Sequence, residues 1–226
     1  MLLVKKIASI LVLILLVFFS GGTTPPVEEV EAVKHPFVMV HGMGGWGDTS
    51  SINSYVSYWG ATTGNLVEFL NQENYDCYAA SVGPFSSAWD RACELYAQLS
   101  GTTVDYGVAH SQKFGHERFG RTYEQPLFEG WGQTDENDNL KKVNLYGHSF
   151  GGATVRLLTY LLENGCEEEI SATAESEISP LFTGGKGDLV FSVTTLASPH
   201  NGTTLLYTLN ERAVDSFITI FYTGIS

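Results

Sequence analysis

Apolar positions along the chain alternate between short continuous runs and longer spaced stretches. Pro36 to Val40 (PFVMV), Tyr75 to Val82 (YDCYAASV), Val143 to Tyr146 (VNLY) and Leu189 to Leu196 (LVFSVTTL) are brief, mostly apolar segments closed by glycine, proline or serine. Each predicts a strand, and the first and last read as buried strands. Asn65 to Asn71 carries Leu66, Val67, Phe69 and Leu70 at helical spacing. Ser86 to Leu99 predicts a second helix, with Ser86 or Ser87 as N-cap and Gly101 as the stop. Ala153 to Leu162 predicts a third, ended by Asn164-Gly165. Gly101 to Gly132 has no strong period but is rich in histidine, glycine and aromatic residues. Cys166 to Gly187 reads as an acidic, Ser/Gly-rich connection. From Leu205 to Phe221 apolar residues recur again at helical spacing. No internal repeat is visible. Strands alternating with helices predict an α/β fold: a mostly parallel sheet with helices on both faces and functional residues at the carboxyl ends of strands.

One of those strand ends carries chemistry. VNLY runs into Gly147-His148-Ser149-Phe150-Gly151, and a helix follows. A strand, a tight turn bearing serine and a helix form a nucleophile elbow. The turn forces the serine into a strained conformation, and side chains two residues to either side would clash. Its hydroxyl is lifted clear of the sheet, and the helix start directs free N–H groups at any developing anion. The GxSxG pattern alone is weakly specific; the strand and helix around it carry the assignment.

Composition sets the surroundings. The chain has 226 residues, 43% hydrophobic and 16% charged, which fits one globular domain. Net charge is −13, and loss of Lys5 and Lys6 would deepen it to −15 (10 basic against 25 acidic residues). Such a chain will not seek nucleic acid or anionic lipid through bulk charge, yet can meet a neutral lipid surface through apolar patches. Residues 1–22 predict a signal peptide: Lys5 and Lys6, an apolar run from Ile7 to Phe19, then Ser20-Gly21-Gly22 for cleavage. An uncleaved membrane anchor is the alternative, for which the run is short. Residues 23–35, with Pro25-Pro26, three glutamates and Lys34, predict a flexible linker. Cys77, Cys93 and Cys166 make an odd count with no zinc-knuckle spacing, and are expected to be small buried apolar residues.

The segments VMVHGMGGWGD, YAASVGPFSSAWDRACELYAQLSGTTVDYGVAHSQKFGHERFGRTY, NLYGHSFGG and SPLFTGG…FSVTTLASPHNGTTL together resemble the secreted bacterial triacylglycerol lipases of the zinc-containing thermophilic Bacillus-type and staphylococcal group. The resemblance covers most of Pro36 to Leu206 and implies an α/β-hydrolase fold over residues 36–226, incomplete because the C-terminal strands would lie beyond this chain. Ser149 matches the nucleophile, and the backbone N–H groups of Met43 and Phe150 match the oxyanion hole. The family usually has Phe at the Met43 position and Gln after the serine; backbone donors do not depend on side-chain type. Asp90, His110 and His116 match three ligands of a structural zinc, within an insertion at about 86–132. Trp59, Trp89 and the aromatics from Tyr106 to Tyr123 are expected to pack around it. The region at about 205–222 resembles the start of the family's lid helix.

The resemblance places the triad aspartate and histidine, the fourth zinc ligand and a calcium site beyond Ser226. An internal triad is not expected: Asp188 precedes its strand, at the wrong end of the sheet from Ser149 and His200. His41 and His148 read as orienting and packing residues. The function implied is a secreted lipase that hydrolyses triacylglycerol esters through a serine acyl-enzyme at a lipid–water interface, without nucleic acid or an obligate protein partner. The alternative is a truncated, non-catalytic module, secreted or membrane-tethered, that binds zinc or a lipid surface.

Overall fold

The computed structural model describes residues 34–203. The expected signal peptide, most of the linker and the lid segment lie outside those residues. Four parallel strands form the main sheet in the order β2-β1-β5-β6: β1 Phe37–Val40, β2 Cys77–Ala80, β5 Val143–His148 and β6 Val190–Leu196. Chain order runs outward in one direction from β1 to β2 and in the other from β5 to β6. The carboxyl ends of the neighbouring strands β1 and β5 therefore flank a point where the connections diverge, the position at which open α/β sheets leave a crevice.

Both faces of the sheet are covered, by different means. On one face Val38, Val40, Ala80, Val143 and Leu145 join Ala92, Leu95 and Leu99 of helix α2 (Ala88–Ser100) and Val155, Leu158 and Leu162 of helix α4 (Phe150–Asn164). On the other, Met39, Cys77 and Ala79 pack with Trp59 and with Val67 of helix α1 (Leu66–Gln72). The alternation of Val38, Met39 and Val40 between the two clusters is the strand period expressed as packing. Each such buried aliphatic side chain contributes about 1.5–3 kcal/mol.

Helix α2 is specified at both ends. The Ser87 side chain accepts from the Asp90 N–H, and the Asp90 carboxylate accepts from the Ser87 N–H, a closed capping box. Gly101 ends the helix at φ 64°. Asn65 caps α1 by accepting from Val67 and Glu68.

Several expectations are corrected. Gly101 to Gly132 contains an antiparallel pair, β3 (Thr103–Asp105) with β4 (Phe119–Thr122), around helix α3 (Val108–Phe114). Elements this short carry too few periods to stand out. Cys166 to Gly187 contains helix α5 (Glu167–Ala172) and 3-10 turns at Glu175–Glu177 and Pro180–Thr183. β6, expected to be buried, is largely exposed among the described residues, where β5 is its one neighbour, and Phe191 is 62% exposed. The His35 ring packs on Phe191, with centroids 4.6 Å apart. Trp59 lies on the α1 face of the sheet rather than around the 86–132 segment; its Nε1–H is a buried donor without a partner among the described residues. Cys77, Cys93 and Cys166 are unbridged; the first two are buried and Cys166 is half-buried. Among the described residues no helix is long and apolar enough to cross a membrane.

Candidate active site and metal centre

Strand β5 ends at His148, helix α4 starts at Phe150, and Ser149 makes the turn between them at φ 53°, ψ −124°. For a residue with a side chain that conformation costs about 1–3 kcal/mol and persists only where the surroundings impose it. They do: Ser149 N–H donates to Leu196 O at 2.8 Å, and the Gly152 N–H donates to Ser149 O at 3.1 Å. The flanking glycines leave the needed space. A Cβ at Gly147 would lie 2.5 Å from Gly151 O, and one at Gly151 would lie 2.1 Å from Val40 O.

The loop after β1 lies directly on the serine. A Cβ at Gly42 would be 2.8 Å from Ser149 Cβ and 3.2 Å from Ser149 Oγ. Gly42 N–H donates to Tyr58 Oη at 2.9 Å, and Tyr58 Oη pairs with His148 Nδ1 at 2.6 Å, which ties the loop to the end of β5. Gly42 O faces inward, 2.8 Å from His41 Nδ1 and 3.5 Å from Arg91 Nη1. In a trans peptide the C=O and the following N–H point in opposite directions. The Met43 N–H is therefore turned away from that buried side. Neither Met43 N–H nor Phe150 N–H has an acceptor among the described residues.

Arg91 organises the underside of this loop and was not singled out from sequence. It is fully buried on α2. Its guanidinium donates to His41 O, to Gly83 O at 2.9 Å and to Thr154 Oγ1 at 3.0 Å, and lies over the Phe150 ring at 5.2 Å. Burial pulls its pKa down to about 10, so it stays charged at neutral pH. Burial, reinforced by Arg91, lowers His41 to about 4. His41 is thus neutral, and its Nε2 can accept from Val82 N–H at 3.3 Å. The available signal was a charged residue on an apolar helical stripe, one turn before Leu95. Tyr58 had no comparable signature.

The second cluster brings together Asp90, His110 and His116, whose candidate ligand atoms all lie within 4.8 Å of one another. Asp90 Oδ1 is 2.9 Å from His110 Nε2 and 3.8 Å from His116 Nε2. Bonds of about 2.0–2.1 Å to a tetrahedral zinc would separate ligand atoms by about 3.3 Å, so these spacings fit one ion. The capping box occupies Asp90 Oδ2, which takes the Ser87 hydroxyl at 2.8 Å and leaves Oδ1 for the histidines. His116 Nδ1 pairs with Glu117 O at 2.9 Å, which fixes the tautomer with Nε2 free to ligate. Trp89 stacks on the His110 ring at 5.0 Å.

The remaining candidates stand apart. Asp188 is exposed beside Lys142 at the amino end of β6, and His200 Nε2 pairs with Thr195 Oγ1 at 2.9 Å. No described histidine hydrogen-bonds Ser149 Oγ.

An α/β sheet with a serine elbow under a glycine loop, and a His/Asp cluster beside it, define a class shared with bacterial lipases. The family described as "Lipase-like, C-terminal domain" matches residues 33–221, and the chain belongs to it. Lipase 2 of Staphylococcus aureus is 46% identical over 171 residues, covering 75% of this chain and 24% of that protein. The structure of lipase 1 from Pelosinus fermentans superposes with a TM-score of 0.76 at 44% identity, over 85% of this chain and 48% of that one. The Staphylococcus hyicus lipase gives 0.72 at 37% identity, over 88% and 50%. The chain spans about a quarter of the length of the curated relatives it matches.

Proposed function

We propose that this chain carries the nucleophile half of a secreted α/β-hydrolase that cleaves carboxylic esters of triacylglycerols. The observation that carries the reading is Ser149 at φ 53° on the strand-to-helix turn, with the Gly42 loop against its hydroxyl. Ser149 Oγ attacks the ester carbonyl, and the carbonyl oxygen becomes an oxyanion. The unpartnered N–H groups of Met43 and Phe150 receive that charge; one such donor is worth about 2.7–4 kcal/mol in the transition state. Arg91 and His41 hold the Gly42–Met43 peptide in the donating orientation. The proton of Ser149 passes to a histidine outside the described residues, which gives it to the departing glyceride alcohol as the C–O bond breaks and then, neutral again, takes a proton from the water that attacks the acyl-enzyme and releases the fatty acid. The substrate class follows from the relatives, which are named lipases. Secretion follows from residues 1–22.

Asp90, His110 and His116 hold a structural Zn2+ in this reading, with a fourth ligand from elsewhere. The bound ion would tie α2 to the β3–β4 segment, and no step of the hydrolysis runs through it. Calcium, if used, is held by other residues.

The test is the complete gene product and its Ser149→Ala variant on a triacylglycerol emulsion and with a fluorophosphonate probe. The parent should hydrolyse the ester and label at Ser149; the variant should do neither while keeping its circular dichroism. Turnover retained in Ser149→Ala would remove the serine from its role.

A further inference from the structure

Helix α3 carries His110 and has no cap of its own. It is seven residues long, and its N-cap is Gly107, which offers no side chain. The first N–H groups of a helix have no intrahelical acceptor, and so short a helix is marginal alone. Two of those donors are taken from a distance. Ala109 N–H donates to Glu169 Oε2 at 2.9 Å and His110 N–H donates to Glu169 Oε1 at 2.7 Å.

Glu169 belongs to α5, and its exposure is 1%, while Glu167 and Glu168 beside it face solvent. A buried carboxylate is costly unless hydrogen-bonded. Here the two N–H groups and the positive end of the α3 dipole compensate it. Gly107 completes the fit. It sits at φ 90°, and a Cβ there would lie 2.3 Å from Glu169 Cδ, so the glycine vacates the space the carboxylate fills.

We infer that Glu169 is a positioning residue of the metal centre, one that fixes His110 by capping α3 from outside. This rests on the zinc reading above. The backbone of His110 is held by Glu169, its ring plane by Trp89 and its Nε2 by Asp90 Oδ1. Gly115 ends α3 at φ 73°, and His116 follows directly, so the seating of α3 also sets where the second histidine falls. The segment after α5 grips the same unit again. Arg118 bridges Asp105, at 2.9 Å, and Glu177, at 3.2 Å. The acidic stretch 167–177 is thus the outer brace of the cluster rather than a loose connection.

The experiment is zinc affinity of the complete gene product, by competition against a chromophoric chelator, with Co2+ substitution as a spectroscopic check. Glu169→Gln keeps the size but turns an NH2 donor onto a backbone N–H. Its zinc Kd should rise about 10–100-fold, as losses of outer-layer partners do, and its tetrahedral Co2+ band should change. Glu168→Gln, on the exposed neighbour, should change neither. If Glu169→Gln fails to fold, Gly107→Ala reads the same contact, since its methyl displaces the carboxylate; it should weaken zinc at least tenfold. A Kd unchanged in the folded variant overturns the inference while leaving the zinc site standing. A parent chain that binds no zinc removes both.

Discussion

Replacing Arg91 by methionine tests whether the buried guanidinium sets the geometry of the oxyanion donors. Four acceptors would lose a charged donor: His41 O, Gly83 O, Thr154 Oγ1 and, at the long distance of 3.5 Å, Gly42 O. Gly42 O would keep His41 Nδ1. Hydrogen bonds to a charged group contribute about 1.5–3 kcal/mol each. Against this, the variant no longer buries a guanidinium, whose depressed pKa of about 10 corresponds to roughly 3 kcal/mol of desolvation. The net loss of stability is about 3 kcal/mol, measurable as a shift in urea midpoint. Activity should fall by more than stability explains. With the Gly42–Met43 peptide held only by His41, one oxyanion donor is misdirected, and kcat on a soluble short-chain ester should drop about 10–100-fold with KM nearly unchanged. The assay is steady-state kinetics on folded complete protein, well below the variant's melting temperature. A variant that loses about 3 kcal/mol yet keeps kcat within twofold of the parent refutes the argument: Arg91 would then support the fold and not the donors.

Three further outcomes follow from the same geometry. His116→Ala should lower zinc content and melting temperature together, because a structural ion contributes its binding energy to folding; unchanged metal stoichiometry would sink the ligand assignment. His41 stays neutral in the folded protein down to about pH 4, whereas an unfolded histidine takes a proton near 6.5. Stability should therefore fall by about 3 kcal/mol as pH drops through that window, and His41→Asn should flatten this part of the urea-midpoint profile. Glu94 and Asp48, whose burial raises their pKa values, tilt the profile the other way in the carboxylate range, so the difference between variant and parent is the quantity to read. Tyr58→Phe removes the acceptor of the Gly42 N–H and the partner of His148; a cost of about 1–3 kcal/mol is expected by thermal unfolding, and none would show that water replaces the hydroxyl.

What could be read from the sequence was whatever depends on local order. The elbow is legible because strand, turn and helix are contiguous, and Gly147 and Gly151 are needed whatever the rest of the chain does. The capping box of α2 is legible for the same reason: Ser87 and Asp90 are three residues apart. Arg91, Tyr58 and Glu169 act on partners far along the chain, and no periodicity announces them. Glu169 shows this most sharply. In a row of three glutamates the ordinary expectation is solvent, and only the approach of α3, about sixty residues earlier, turns one of them inward. β6 differs in another way. LVFSVTTL is apolar enough for a buried strand, but burial needs neighbours on both sides, and among the described residues only β5 stands beside it.

One adjacency gives the two sites a common physical basis. Asp90 and Arg91 are consecutive residues in the first turn of α2. Neighbouring side chains on a helix point about 100° apart. Asp90 therefore reaches outward to His110 and His116, while Arg91 reaches inward to the loop over Ser149. The same turn is pinned by Ser87 through Asp90 Oδ2 and, through Trp89 stacked on His110, by the β3–β4 unit. An ion held at Asp90 would stiffen the turn from which the Arg91 guanidinium is presented, without approaching the ester. A structural metal so placed would act on the proposed reaction by narrowing the range of positions open to Arg91, and so to the Gly42–Met43 peptide it supports. That would account for a side-chain cluster outside the crevice in a protein whose proposed chemistry needs only a serine, two backbone N–H groups and a base.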